Sequence, residues 1–296
     1  MYTRGDFRAV YFMLLCLPRN SAFTRYYEQR NLDILVTEIS YIFATNAPHF
    51  FSIKKIYFLL LFFIAYQSEA QVFNIQSFGA IGDSTTINTT AIQSAIDSCS
   101  NSGGGIVLIS NGVYLSGTIF MKSNVTLSVD SGAALKGSPN LADYPTVTPS
   151  LRTFTDSYVQ RSLIFAENVN NIAFEGKGII NGNGNSTIFL TSANRVFGFR
   201  LFSCTNVRYE NLTLINSAFL MMHNCNIDTL LIRDVTISNH CWGNQDGVNI
   251  DGCRNVLVEN CNIDSNNDPI VMKGTFLGWT ENVKCAIASW PLIPEP

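Results

Sequence analysis

Two aspartates, Asp246 and Asp268, stand 22 residues apart, each in a short polar stretch between apolar runs. The first lies in Asn244-Gln245-Asp246-Gly247 and the second in Asn267-Asp268-Pro269. Carboxylates held close together push their pKa values apart, so one can give a proton while the other takes one. Such chemistry needs carboxylates and water, and no cofactor or metal is expected. No Cys-x-x-Cys pair and no Cys/His cluster has the spacing of a zinc site. Lys273 follows the second aspartate and offsets local negative charge. His223, His240 and Trp242 complete the group of side chains able to contact a ligand. Asp251 and Asp264 read first as structural corners, and Arg161 and Arg195 as surface residues.

The elements that hold these residues repeat. Asn206-Val-Arg-Tyr-Glu-Asn-Leu-Thr-Leu-Ile-Asn is followed by Thr229-Leu-Leu-Ile-Arg-Asp-Val-Thr-Ile-Ser-Asn and by Asn255-Val-Leu-Val-Glu-Asn-Cys-Asn-Ile-Asp-Ser. Earlier copies begin at Asn124 and Asn171, and a ragged later one at Asn282. The last three steps are 23, 26 and 27 residues. Several short β-branched segments per unit, with no amphipathic helix between them, predict an all-β solenoid. The fold expected is a right-handed parallel β-helix. Asparagine suits its corners because it tolerates the left-handed backbone. A single helix is expected over Thr89 to Ser100, with Ala91, Ile92, Ala95 and Ile96 on one face, capping the open end. In such a solenoid Asp246 and Asp268, about one coil apart, fall on neighbouring rungs.

Composition sets the class. The 296 residues are 47% hydrophobic and 14% charged, with a formal net charge of −3. That argues against disorder, and the missing basic excess argues against nucleic acid as a partner. The first 70 residues carry 7 Lys/Arg and 5 Asp/Glu, the other 226 carry 12 and 17. Lys54-Lys55, an apolar run from Ile56 to Tyr66 and the small residues Ser68 and Ala70 predict a signal peptide over 53–70. Its apolar core is too short for a stable membrane anchor. Residues 1–52 then form an N-terminal extension, and 71–296 an exported domain, secreted to an extracellular or periplasmic space. That domain holds seven cysteines. Cys204, Cys225 and Cys253, each one to two residues before a strand-like segment, read as stacked, buried thiols in preference to disulfides.

Spaced motifs then add a resemblance. Phe78-Gly-Ala-Ile-Gly-Asp83 is followed by Gly103-Gly-Gly-Ile-Val-Leu108, Gly112-Val-Tyr-Leu-Ser-Gly117 and Gly176-Lys-Gly-Ile-Ile-Asn-Gly182. The series ends in Asn244-Gln-Asp-Gly-Val-Asn-Ile-Asp251 and Asn267-Asp-Pro-Ile-Val-Met-Lys273. Over about 73 to 274 this order resembles the pectin-degrading glycoside hydrolases of family 28, the polygalacturonases and rhamnogalacturonan hydrolases. The resemblance implies inverting hydrolysis of α-glycosidic bonds in pectic polysaccharides by a monomer. One carboxylic acid protonates the leaving oxygen and one carboxylate activates water, about 6.5–9.5 Å away. By resemblance, Asp246 and Asp268 match water-activating carboxylates, and Asn267 stands at the general-acid position, where the family has aspartate. His223, Asn244, His240, Trp242 and Lys273 are then expected to bind substrate. After Gly274 the family's Gly-His-Gly and Arg-x-Lys segments do not follow, so a domain incomplete at its C-terminal end is expected. The alternative expectation is a pectin-binding β-helix without catalysis.

Overall fold

A computed structural model describes residues 70–286 except Tyr158, Ser186, Leu190, Trp242, Phe276 and Leu277. The expected signal peptide, apart from its last residue Ala70, and the extension before it lie outside the described residues. So does Trp242.

The chain winds through three parallel sheets of eight, seven and six strands. Each complete coil contributes one short strand to each sheet, and each strand pairs with its equivalents on the neighbouring coils. This is the expected parallel β-helix, right-handed as parallel crossovers nearly always are. The repeat beginning at Asn282 supplies the last strand, Glu281–Ala286, paired with Arg254–Glu259. No helix among the described residues is long and apolar enough to cross a membrane.

Register alone builds the core. In the first sheet Val107, Leu127, Phe174, Tyr209, Ile232 and Val258 are successive partners. All six are fully buried. Phe174 stacks on Tyr209 at 4.9 Å, and the Tyr209 hydroxyl donates to Asn224 Oδ1 at 3.0 Å, so its one polar atom is satisfied. The helix runs over Thr89–Asn101 and buries Ile92, Ala95, Ile96 and Cys99, covering the first coils as expected.

The corners explain the repeat's leading asparagines. Thirteen of the seventeen described non-glycine residues with positive φ are asparagines. At the head of each unit they also form a ladder. Asn171 donates to Asn124 Oδ1 at 3.0 Å, Asn206 to Asn171 at 2.9 Å, and Asn282 to Asn255 at 2.6 Å. Thr229 interrupts it, at φ 67°, where a β-branched residue is strained. Asn255 donates to Asp228 Oδ1 instead, at 3.0 Å. Thr229 is exposed, so Thr229→Asn extends the ladder without a packing conflict. It is expected to raise stability by about 1 kcal/mol, roughly 2–4 °C in Tm. An unchanged or lower thermal midpoint would contradict this account of the corners.

Of the seven described cysteines, Cys99, Cys204, Cys225, Cys253 and Cys261 are buried and Cys285 is exposed. The expected stack of thiols does not form, because Cys225 lies on the third sheet and Ile227 holds the equivalent place on the coil between Cys204 and Cys253, which are buried separately. Burial pushes them up to about 11 and about 12.

Candidate active site

The site rests on the outer face of the third sheet, whose strands are Ile119–Phe120, Ser162–Glu167, Phe197–Phe202, Met222–Cys225, Val248–Asp251 and Ile270–Lys273. This face is not left to solvent. The segment between the strands Ala133–Gly137 and Ser162–Glu167 folds across it. Val147 and Leu151 pack on Phe165, Phe202 and Cys225, and Val159 packs with Phe197, Phe219 and Leu220. Arg200 anchors the segment. It is fully buried, its Nη1 donates to the carbonyls of Val147 at 2.8 Å and Gln160 at 3.3 Å, and its guanidinium lies 5.1 Å from the Phe202 ring centre.

Where the covering segment stops, a cleft of about 310 Å³ opens. His223, Asn244, Asp246, Asp251, Asn267, Lys273 and Thr275 form its polar lining, and Phe154, Thr155, Phe219 and Leu220 its remaining wall. Asp246 and Asp268 do lie on neighbouring rungs. The Gly247 N–H donates to the Asp268 carbonyl at 3.0 Å, and the Met221 N–H to the Asp246 carbonyl at 3.0 Å. Gly247 permits this approach, because a Cβ there would meet the Pro269 carbonyl oxygen at 2.5 Å.

Asp246 is buried. Its Oδ1 accepts from the Asn267 amide at 2.7 Å, and its Oδ2 pairs with Lys273 Nζ at 3.2 Å. Deeper in the cleft Asp251 Oδ2 meets His223 Nε2 at 3.3 Å, and Oδ1 accepts from the Thr275 N–H at 2.8 Å. The Thr275 hydroxyl also donates to Asp251. Burial drives the Asp251 carboxyl up, but the hydrogen bonds from His223 and Thr275 outweigh it and hold it below the ordinary value. His223 is clamped by aromatic rings, stacked on Phe197 at 5.5 Å and edge-on to Phe202 at 5.7 Å.

The structure thus gathers Asp246, Asn267, His223, Asn244 and Lys273 in one cleft. Asp268 does not line it. Its side chain is exposed, while the Asn267 side chain before it turns to Asp246. His240 also lies outside the lining. Its ring nitrogens face Asn266 Oδ1 at 2.9 Å and Asp264 Oδ1 at 2.8 Å, and these contacts raise the imidazole above its ordinary value. Asp251 corrects its reading as a structural corner, since it is fully buried at the cleft floor. Arg195 is likewise not a surface residue. It is buried, with its guanidinium 5.1 Å from the Phe219 ring centre. Thr275, Phe154 and Thr155 carried no motif. Strand alternation puts Asp251 on one face with Asn249, and the register with Cys225 brings it to His223.

Comparison with known proteins identifies the family of the chain. Residues 72–289 match the family described as rhamnogalacturonase A/epimerase, pectate lyase-like. A Vitis vinifera protein named "Probable polygalacturonase" is 30% identical over 234 residues, 73% of this chain and 46% of the relative. The exo-poly-alpha-D-galacturonosidase of Dickeya chrysanthemi is 41% identical over 122 residues, 38% of this chain and 20% of the relative. The structure of the Yersinia enterocolitica family 28 exopolygalacturonase superposes with a TM-score of 0.63 at 27% identity, covering 69% of this chain and 45% of that one. The chain therefore spans less than half the length of these relatives. By its family match, its coil architecture and the ordered motifs around Asp246, the chain belongs to the rhamnogalacturonase A/epimerase, pectate lyase-like family, as a polygalacturonase-like member resembling glycoside hydrolase family 28.

Proposed function

We propose that the cleft binds a pectic polysaccharide and hydrolyses its α-glycosidic bonds by inversion, with Asp246 as the carboxylate that activates water. One observation carries the reading. Asp246 is buried at the cleft with one oxygen on an amide and the other on an ammonium group, an environment that fixes its orientation. Asn267 donates the same hydrogen bond that a protonated carboxyl would donate from this position. It has no proton to release, so it preserves the arrangement while weakening the acid half of the reaction. Low turnover is the expected behaviour of the unaltered chain. Phe154 and Phe219 give the cleft apolar surface for the faces of sugar rings. The polygalacturonase names of the relatives support the substrate class.

The test is reducing-end release from polygalacturonate and from rhamnogalacturonan by the chain and by Asp246→Asn. Slow release that falls by about 10²–10⁴-fold in the variant is expected. A rate unchanged by Asp246→Asn would sink the assignment. We further infer export, with a mature chain beginning at Gln71. N-terminal sequencing of the native protein checks this, and a mature form that retains Met1 would contradict it.

A further inference from the structure

We propose that His223, Cys225 and Asp251 form a binding site for a thiophilic divalent cation of the zinc class, at the floor of the cleft. This does not rest on the glycan-cleaving reading. His223 and Cys225 alternate on the strand Met222–Cys225 and project to the same face. Asp251 is the register partner of Cys225 on the next strand. One donor atom from each lies within 4.8 Å of the other two, and all three residues are buried. His223 and Asp251 line the cleft, which supplies a path for the ion.

Two further observations point to an occupant. The Nδ1 of His223 is buried with no hydrogen-bond partner. Asn249, the register partner of His223 on the same outer face, is fully buried, and its side-chain carbonyl oxygen, an acceptor that a cation can satisfy, has no hydrogen-bond partner. Orphaned buried polar atoms of this kind are costly, and they collect where something else satisfies them. Thiolate, imidazole and carboxylate together select zinc over calcium or magnesium. Thiolate and carboxylate also neutralise the charge of a divalent ion in a buried place. Thr275, which donates twice to Asp251, is the outer partner that orients this ligand. Tetrahedral zinc with bonds of about 2.0–2.3 Å holds its ligands roughly 3.5 Å apart, so closure requires side-chain shifts of about 1 Å. Three protein ligands leave one position open. The sequence concealed the site because its donors come from two rungs, and zinc spacing rules describe ligands on a single loop or helix.

Cobalt and zinc titrations of the full chain, stripped of metal with a chelator, test the proposal. One equivalent of Co²⁺ is expected to give a sulfur-to-cobalt charge-transfer band, displaced by one equivalent of Zn²⁺. Cys225→Ser should lose the band, and Asp251→Asn should weaken zinc binding by at least about tenfold. Cys285→Ser, which removes an exposed thiol on the last strand, should leave both unchanged. X-ray absorption of the zinc-loaded unaltered chain needs no variant. It should show one sulfur at about 2.3 Å with nitrogen and oxygen near 2.0–2.1 Å. A band that survives Cys225→Ser, a zinc shell without sulfur, or no binding at about 1 mM metal would overturn the site.

Discussion

Asn267→Asp is expected to raise the rate of pectic hydrolysis by about 10²–10⁴-fold, the usual contribution of a positioned general acid. The gain follows from geometry already in place. Asn267 Nδ2 lies 2.7 Å from Asp246 Oδ1, well inside the separation of about 6.5–9.5 Å that inversion uses, so an aspartate there shares a hydrogen bond with a buried carboxylate until the substrate and its attacking water part the two groups. Two carboxyl groups in such contact do not both ionise near neutrality, and the proton they share is the one the leaving oxygen needs. Lys273, 3.2 Å from the other oxygen of Asp246, favours placing the negative charge on Asp246 and the proton on residue 267. The measurement is the initial rate of reducing-end release, with Asn267→Asp combined with Asp246→Asn as the control. An Asn267→Asp chain that folds normally and gains less than about tenfold would show that proton donation is not what limits this site.

The second large effect is structural. Arg200→Ala is expected to cost about 4 kcal/mol, on the order of 8–16 °C in Tm. Truncation takes the donor from the Val147 and Gln160 carbonyls and leaves a void among Phe165, Phe197 and Phe202. The damage should be local first, because these contacts tie the covering segment to the third sheet. Limited proteolysis is therefore expected to cut the Arg200→Ala chain within 140–161 before the coils are lost. Phe154 and Thr155 belong to that segment and to the cleft wall, so pectic-chain affinity should fall with it. A thermal midpoint within about 2 °C of the unaltered chain would contradict the anchoring role.

How much of this was visible in the sequence depends on whether a feature repeats. The Asn-led units at 124, 171, 206, 255 and 282 announce the coils because each corner imposes the same backbone demand on the same residue type. The helix over Thr89–Asn101 was legible from its apolar face, and the adjacency of Asp246 and Asp268 from a separation of one coil. The covering segment was not legible. It occurs once, and an excursion from one coil has no periodic signal. Nothing periodic therefore marks Phe154 and Thr155, which belong to that segment, as cleft wall, or Arg195, over the Phe219 ring, as buried. Asp251 is hidden in the sequence for another reason. Its type suggests a solvated corner, and only the strand register shows that it sits beside Cys225, facing His223. Asp268 illustrates the limit of coil arithmetic, which fixes the rung but not the direction of a side chain in a turn.

The central claim is that this cleft, given an acid at position 267, performs inverting hydrolysis. Proton NMR of the first reducing ends that Asn267→Asp releases from an α-linked galacturonan tests it most directly. Attack of water on the face opposite the leaving oxygen produces the β-anomer first, with the α-form appearing only as mutarotation proceeds. That is the result the account predicts. An initial α-anomer, an unsaturated sugar formed by elimination, or no product from a folded chain would contradict it.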